Sequence, residues 1–357
     1  MKKKKAYLTL QNGKMFEGYR FGALGSAMGE LVFSTGMVGY METLTDPANY
    51  GQIVAQTFPL IGNYGVIRKD AESDRAWVSA FVVREICEEP SNFRMEGKLS
   101  DYLAEEGVIG IYGVDTRELT KILREEGVMN ARISDKPLTA EEIAQMASYK
   151  IENAVKTVVR EELGYFEAEN ATRTLALWNF GSKNSTIANL NAQGCNVISI
   201  PASAKAEEIL ALGIDGIVVS DGPGDVNEIP EYVEEAKKLL GKKPILGIGL
   251  GHHLLAAALG SEIVKQKYGH RGSNQPVKCT KCGKVYISAQ NHGYEVVSDT
   301  VKNGEISFIN VNDGSCEGIE YPAFKSLSVQ FVPESCGIGH TENPVYDKFF
   351  ALMKEER

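Results

Sequence analysis

Three alternating glycines follow a short apolar run in the second half of the chain, in a pattern that often carries chemistry. The run extends from Pro244 to Ile248, and Gly247, Gly249 and Gly251 alternate through the turn. Apolar residues at helical spacing come next, so the pattern predicts a buried strand, a sharp turn and a helix. Such a turn can hold one side chain over the strand ends, beside a helix N-terminus where oxyanions are stabilised. Gly249 stands at the tip, and glycine has no side chain that could attack a substrate.

The elements around this turn predict an α/β domain. From residue 173 onward, apolar strands alternate with helices of roughly ten to fifteen residues, which is typical of βαβ units and a doubly wound parallel sheet. Ligands bind at the carboxyl ends of the strands in such sheets, and a second glycine turn, Gly222-Pro223-Gly224, lies at such an end. Short strands are predicted after residue 261, and residues 343–355 form a closing amphipathic helix.

Residues 6–134 predict a mixed, strand-rich domain. Asn12-Gly13 lies between alternating segments and indicates a hairpin. The glycines of residues 29–47 indicate close backbone approach rather than a regular strand, and residues 76–87 read as one strongly apolar strand. Two capping boxes indicate helix starts. They are Asp115 to Glu118 and Thr139 to Glu142.

Length and composition indicate a two-domain protein without a membrane span. The 357 residues are enough for two cores, and we interpret 1–150 as an N-terminal domain, 151–172 as a linker and 173–357 as a C-terminal domain. A net charge of −9 argues against a general nucleic-acid binder. No apolar run is long enough for a signal peptide or a transmembrane helix, so we expect a cytoplasmic protein.

The six cysteines do not form the dense pattern of a disulfide scaffold, and reduced thiols are expected. Cys279-Thr280-Lys281-Cys282 resembles half of a zinc knuckle, but no second pair with suitable spacing exists. We interpret it as a hairpin turn and expect no metal site, although metal binding between two molecules stays open.

The motifs together resemble a known family. The second domain is similar to class I glutamine amidotransferases, in which the elbow reads G-I-C-L-G-H-Q and the far strand ends in F-x-x-H-P-E. The first domain resembles the N-terminal domain of the carbamoyl-phosphate synthetase small chain, and the likeness covers nearly the whole chain. The segments that carry it are STGMVGYMETLTDPANYGQI, PLIGNYGV, YGVDTRELTKILREEGVMNARI, SDGPGD, GHRGSNQPV and AQNHGYEV.

The resemblance implies a glutamine-hydrolysing subunit. In the family, a cysteine thiolate attacks the side-chain amide, a histidine acts as base and then acid, and a glutamate orients the histidine. Backbone N–H groups of the elbow and the glycine turn stabilise the oxyanion. Ammonia then passes to a large chain that makes carbamoyl phosphate. ATP and magnesium would belong to that chain, so no cofactor is expected here.

Two of the three catalytic positions have lost their chemistry in this sequence. The nucleophile position is Gly249 and the base position is Val332, whereas the orienting acid, Glu334, is retained. Two substrate positions are also changed, to Ala48 and His253. The full set of positions that the resemblance assigns to substrate binding is Ala48, Gly222, Gly224, Leu250, His253, Asn291, Gly293 and Tyr294.

We therefore expect a small chain that binds the large chain but does not hydrolyse glutamine, acting as a structural or allosteric subunit of a complex that uses free ammonia. One alternative is an active glutaminase with a stand-in nucleophile such as Cys336. Another is a sensor whose pocket binds glutamine or another small amino acid. His253 could face the site, but we interpret it as a surface or capping residue, and His252 as structural.

Overall fold

The computed structural model describes residues 4–159, 163–335 and 343–354, and it divides the chain into two compact units. Unit 1 covers Met1–Ala154 and unit 2 covers Val155–Arg357. Among the described residues, no helix combines the length and the apolar character needed to cross a membrane.

Unit 1 is built mainly from short strands. Its strands are β1 (Lys5–Leu10), β2 (Met15–Gly22), β3 (Ala27–Ser34), β4 (Gln52–Gln56), β5 (Leu60–Ile61), β6 (Ala80–Val82), β7 (Glu85–Ile86), β8 (Ile109–Tyr112) and β9 (Met129–Ser134). Its helices are α1 (Tyr40–Thr45), α2 (Leu99–Glu105), α3 (Thr116–Glu126) and α4 (Ala140–Met146).

Most strands of unit 1 close into a barrel. The order is β1-β2-β8-β6-β4-β3-β9, and β9 pairs with β1 to complete the ring. The predicted hairpin is confirmed, because β1 and β2 pair antiparallel around Gly13, whose φ is 86°. The expectation for residues 29–47 was wrong in part. Residues 27–34 form a regular strand, although a Cβ on Gly29 would lie closer than 3.0 Å to the carbonyl oxygen of Gly51.

Local signals placed two of the four helices of unit 1, α3 and α4, whereas α1 and α2 were not predicted. Asp115 accepts hydrogen bonds from the backbone N–H groups of Arg117 and Glu118 at the start of α3. Thr139 and Glu142 form the reciprocal capping box at the start of α4. The single strand predicted over residues 76–87 is instead two short ones, β6 and β7. The two belong to different sheets, since β6 lies in the barrel and β7 pairs with β5.

Unit 2 alternates strands and helices before ending in strands and a helix. Its strands are β10 (Gly164–Phe166), β11 (Arg173–Asn179), β12 (Cys195–Pro201), β13 (Gly216–Val219), β14 (Ile245–Ile248), β15 (Ile263–Cys279), β16 (Val285–Val296), β17 (Glu305–Asn310), β18 (Cys316–Tyr321) and β19 (Ser326–Val329). Helix α5 (Ala154–Val158) lies at the boundary of the units. The helices that follow are α6 (Asn184–Ala192), α7 (Ala206–Leu210), α8 (Pro230–Leu239), α9 (Leu250–Ala258) and α10 (Pro344–Lys354).

The predicted doubly wound sheet is confirmed. The sheet order is β10-β12-β11-β13-β14-β19-β18-β16-β15-β17, and the run from β12 to β19 is parallel. Alternate residues of β11 enter two different cores. Ala176 and Trp178 pack with residues of α7, α8 and α9, while Leu175 and Leu177 pack with residues of α6 and α10. The sheet is therefore covered by helices on both faces, and the carboxyl ends of β13, β14 and β19 lie side by side.

The strands predicted after residue 261 correspond to β16, β17, β18 and β19, whereas the long strand β15 was not predicted. β15 has 17 residues and β16 has 12, and the two form an antiparallel ribbon with register shifts. The hairpin between them contains the two cysteines of the predicted turn. The closing helix is confirmed as α10.

Residues 151–172, interpreted as a linker, carry regular structure. They contain the whole of α5 and the whole of β10, which pairs antiparallel with β12. The division of the chain into two compact units falls between Ala154 and Val155, within that segment.

Candidate active site

The predicted elbow is present between β14 and α9. Gly249 caps α9 with φ 54° and ψ −110°, a conformation that L side chains rarely adopt. Its N–H donates to the carbonyl of Val329 on the neighbouring strand at 2.9 Å. A Cβ on Gly251 would lie closer than 3.0 Å to the backbone carbonyl of Val219. The elbow glycines therefore allow α9 to pack directly on the strand ends.

The second glycine turn follows β13 and faces the elbow. A Cβ on Gly222 would clash with the backbone of Phe180, so this turn also depends on glycine. Ser220 fixes the turn, because its Oγ accepts from the N–H of Phe180 at 2.8 Å and its carbonyl accepts from the N–H of Gly251 at 3.1 Å. The backbone of the turn and the first turn of α9 are therefore tied together.

Sequence reasoning missed the residue that connects these two turns, Asp221. Its Oδ1 accepts hydrogen bonds from the N–H of Gly222 at 2.8 Å and from the N–H of Leu250 at 3.0 Å. Leu250 is the first residue of α9, so the carboxylate lies at the positive end of a helix dipole. The sequence signal, an acidic residue directly before the glycine turn, was available, but its contact with Leu250 joins positions 29 residues apart.

The Asp221 carboxylate occupies the space in front of Gly249. A Cβ built on Gly249 would lie closer than 3.0 Å to Cγ, Oδ1 and Oδ2 of Asp221. That distance is shorter than real Cβ contacts, so a side chain at position 249 and the present position of the Asp221 carboxylate exclude each other. We call Asp221, Gly222, Gly249 and Leu250 the nucleophile end of the site.

Val332 and Glu334 are the positions that the resemblance assigns to the base and the orienting acid. Val332 follows β19, and its N–H donates to the carbonyl of Ala289 at 2.9 Å. Glu334 accepts from the hydroxyl of Tyr346 through Oε1 at 2.8 Å, but its buried Oε2 has no hydrogen-bond partner among the described residues. Valine offers no donor, so the acid has no imidazole to orient. We call Val332 and Glu334 the base end.

The two histidines of α9 are buried, which corrects the surface or capping interpretation of His253. Its side chain is 3% exposed, and burial lowers its pKa to about 4. His252 is fully buried, shares a hydrogen bond with Ser328 through Nδ1 at 2.8 Å, and burial lowers its pKa well below the usual value. Both imidazoles are therefore neutral near pH 7. The Nε2 atoms of both lack hydrogen-bond partners among the described residues.

Three of the substrate positions lie on β16. Asn291 pairs with Arg271 of β15, and Gly293 and Tyr294 follow along the strand. Gly224, in the turn after β13, has φ 98°. Ala48 belongs to unit 1, in a short 3₁₀ helix capped by Asp46. Unit 2 thus contains seven of the eight positions that the resemblance assigns to substrate, namely Gly222, Gly224, Leu250, His253, Asn291, Gly293 and Tyr294.

A buried polar cluster lies beside these positions on β15, β16 and β18. His270, His292 and Glu317 have ligand atoms within 4.8 Å of one another. Burial alone would lower the pKa of His270, but hydrogen bonds with Asp313 and Glu317 raise it to about 9. Asp313 lies 2.8 Å from its Nε2, so His270 is a buried cation between two acids. The contacts of His270 with Asp313 and Glu317 therefore explain why these polar side chains lie close together in the interior.

The cysteines leave the stand-in hypothesis without structural support in the described region. Cys87, Cys195, Cys279, Cys282 and Cys316 are free thiols, and none lies in the nucleophile end as defined above. Cys336 is outside the described residues. In the β15–β16 hairpin, the N–H of Cys282 donates to Sγ of Cys279 at 3.3 Å.

Comparisons with known proteins agree with the fold and with the order of the two domains. The family model for the carbamoyl-phosphate synthase small chain, CPSase domain, matches residues 8–133, and the model for class-I glutamine amidotransferase matches residues 176–352. The chain is 45% identical to the carbamoyl phosphate synthase small chain of Clostridium perfringens, over 97% of this chain and 98% of that relative.

Two further relatives carry the same name. The small chain of Bacillus caldolyticus is 41% identical, over 98% of this chain and 97% of the relative. The small chain of Symbiobacterium thermophilum is 41% identical, over 96% of this chain and 97% of the relative. Identity at this level along the whole length, with both domain models in the same order, means that this chain belongs to the carbamoyl-phosphate synthase small chain family.

Proposed function

We propose that this small subunit of carbamoyl-phosphate synthase does not hydrolyse glutamine and serves a complex that uses free ammonia. The observation that carries the proposal is the pair of side chains at the catalytic positions. Gly249 offers no nucleophile and Val332 offers no group that can accept a proton. Covalent amide hydrolysis needs both an attacking thiolate and a general base, so their loss removes the mechanism rather than slowing it.

The hydrogen bonds of Asp221 also support the proposal that glutamine is not hydrolysed. An amide substrate needs hydrogen-bond donors for the oxygen that becomes negative in the transition state. The N–H groups of Gly222 and Leu250 are the donors that the family resemblance assigns to this task, and both already bond to Asp221. Oxyanion stabilisation alone, the last contribution that could survive loss of the triad, is therefore weakened as well.

The partner that the family name implies is a large chain. The barrel domain is the part of this chain that matches the CPSase small-chain model, over residues 8–133, and it is complete in the structure. A small chain with a closed barrel and an inactive second domain would stabilise the large chain or change its affinity for ammonia. The latter is allosteric, because two distinct sites are coupled through one complex.

Carbamoyl phosphate synthesis in the reconstituted complex tests the proposal. The large chain with this small chain should use ammonium salts and give no product from glutamine. A small chain with an intact cysteine–histidine–glutamate triad, assayed with the same large chain, is the positive control. Product from glutamine at an ordinary enzyme rate, with this small chain alone as the glutaminase, would contradict the proposal.

A second measurement separates the structural and allosteric roles. Adding this chain should raise the melting temperature of the large chain or change its apparent KM for ammonia. Calorimetry with amino acids tests the sensor alternative on the isolated chain. Binding of glutamine at millimolar concentration would favour a sensor, but the Asp221 carboxylate at the two backbone donors disfavours it.

A further inference from the structure

A single oxygen atom accepts hydrogen bonds from both sides of the candidate site. Oδ1 of Asp221 lies 2.8 Å from the N–H of Gly222 and 3.0 Å from the N–H of Leu250. One donor comes from the turn after β13 and the other from the N-terminus of α9. Convergent backbone donors at roughly 2.7–3.1 Å from one oxygen are the geometry of an oxyanion hole. The Asp221 oxygen therefore lies where the oxygen of a reacting amide would lie.

The donors are held in place independently of the carboxylate. The N–H of Gly251 donates to the carbonyl of Ser220 at 3.1 Å, which ties the first turn of α9 to the end of β13. Ser220 also donates from Oγ to the carbonyl of Asp221 at 2.7 Å. Gly222 is packed against the backbone of Phe180. The hole is preformed by backbone contacts, and the side-chain rotamer of Asp221 decides what fills it.

Only glycine at position 249 permits this rotamer. A Cβ there would lie closer than 3.0 Å to all three terminal atoms of Asp221, Cγ, Oδ1 and Oδ2. A cysteine at this position, with a sulfur beyond the Cβ, would force the carboxylate out of the hole. The identity of residue 249 and the position of the Asp221 side chain are therefore linked.

We infer that Asp221 is a built-in occupant of the oxyanion hole, which replaces the substrate oxygen with a carboxylate of the chain itself and closes the pocket to amides. The inference deepens the proposed loss of glutaminase activity and rests on it for its biological meaning. It assigns a role to Asp221 that the missing triad residues do not imply. A neutral amide oxygen must displace an ionised carboxylate from two backbone donors and a helix N-terminus, and charge-assisted hydrogen bonds are the stronger ones.

A double-mutant cycle tests the linkage between the two positions. Gly249→Ala adds a Cβ, and Asp221→Ala removes the three atoms that the Cβ would meet. The strain of positive φ at position 249 is the same in both backgrounds and cancels in the cycle. Gly249→Ala should lower the melting temperature at least twice as much in the natural background as in the Asp221→Ala background. Equal decreases would overturn the inference.

Asp225→Ala is the matched control for the cycle. Asp225 lies in the same turn, and its Oδ1 accepts from the backbone N–H of Asn227 at 2.9 Å. The substitution removes a similar local cap but leaves the oxyanion hole filled. It should not reduce the effect of Gly249→Ala. A reduction equal to that from Asp221→Ala would mean that any loss in this turn relieves the strain, which contradicts the inference.

Labelling by a chloroketone analogue of glutamine tests the closure of the pocket. The thiol introduced by Gly249→Cys should react about 10²-fold faster when Asp221→Ala is also present, which is the scale for one oxyanion donor. Iodoacetamide, which needs no oxyanion hole, corrects for exposure, and peptide mass spectrometry locates the label. Equal rates with the chloroketone would overturn the inference even if the natural chain proves inactive.

Hydrogen exchange decides the case if the variants at position 249 do not fold. Asp221→Ala alone should remove protection of the amides of Gly222 and Leu250, and Asp225→Ala should leave both protected. Unchanged protection in Asp221→Ala would overturn the inference. Glutamine hydrolysis by the natural chain would instead contradict the proposed function, so the two failures are distinguishable.

Discussion

The two ends of the candidate site differ in how the hydrogen-bonding groups of their carboxylates are satisfied. At the nucleophile end, Asp221 fills the space in front of Gly249 and satisfies two backbone donors. At the base end, Val332 leaves Oε2 of Glu334 buried without a hydrogen-bond partner among the described residues. The carboxylate at one end accepts from two backbone donors, whereas the carboxylate at the other end has a buried oxygen without a donor in the described structure. Under the function proposed above, a site without its catalytic side chains is therefore still filled by a group of the chain itself.

Restoring activity gives the largest expected effect and tests both ends together. In a Gly249→Cys, Asp221→Ala background, adding Val332→His should raise ammonia release from glutamine by about 10²–10⁴-fold, the usual contribution of a general base. Glu334 would then orient the new imidazole. Val332→Asn, which is polar but cannot transfer a proton at neutral pH, is the control. An equal rate in the two variants would show that the base end no longer points at the pocket.

Close packing makes the first turn of α9, next to the nucleophile end, sensitive to added atoms. Gly251→Ala places a Cβ closer than 3.0 Å to the carbonyl of Val219, so we expect a loss of about 1–3 kcal/mol in the free energy of unfolding. Gly97→Ala is the comparison, because a Cβ there meets nothing within 4 Å and its φ is not in the left-handed region. Urea unfolding measures both. Similar losses would mean that the elbow can relax around the extra methyl group.

The buried His253 of α9 should make the fold sensitive to acid. The pKa of His253 is about 4 in the folded chain, against an ordinary value of 6.5, because of burial. Its contribution to stability is complete above pH 6.5 and is lost as the pH falls toward 4, with a slope of up to about 1.4 kcal/mol per pH unit. His253→Gln should flatten this part of the stability profile in urea unfolding.

His270 provides the control with the opposite sign. Its folded pKa of about 9 lies above the ordinary value of 6.5, so its contribution is complete below pH 6.5 and is lost as the pH rises through 9. His270→Gln should therefore change the alkaline side of the profile and leave the acidic side as it is. An acidic change in His270→Gln equal to that in His253→Gln would contradict this assignment.

The smallest predicted effect is on the free energy of unfolding, when either the Asp221 or the Glu334 carboxylate is replaced. Asp221→Ala removes one backbone hydrogen bond at the start of α9 and one in the turn after β13, and loss of a helix cap costs about 1 kcal/mol. Glu334→Gln keeps an oxygen for the Tyr346 hydroxyl and removes a carboxylate oxygen that has no partner in the described structure, so a change of less than about 0.5 kcal/mol is expected. Thermal unfolding of the two variants measures the difference. A larger loss in Glu334→Gln would reverse the comparison.

Local sequence patterns predicted the elements whose stabilising interactions lie within a short segment of the chain. The elbow from β14 to α9, the capping box at Thr139 and the alternation that builds the parallel sheet each lie within a short segment. The pairing of β1 with β9, which closes the barrel, joins distant segments and left no local signal. The long strand β15 was missed because glycines and charged residues interrupt its alternation.

The sequence predicted where the candidate site lies along the chain, but not the burial and the contacts of its side chains. The resemblance located Gly249, Val332 and Glu334, and the structure places the first at the tip of the elbow. It could not show that His253 is buried, because burial depends on the strands that pack over α9. It also could not show the contact of Asp221 with Leu250, which depends on the closeness of two strand ends.

The contact between Asp221 and Gly249 also has a consequence for evolution. A single Gly249→Cys substitution would clash with the Asp221 carboxylate. The new thiol would also have no general base, because position 332 is valine. A single loss of Asp221 removes a helix cap and restores no chemistry. Each first step back is thus harmful or useless alone, and we expect the proposed loss of activity to be difficult to reverse by point mutation. Among descendants of this chain, substitution at one of these two positions should be followed by substitution at the other.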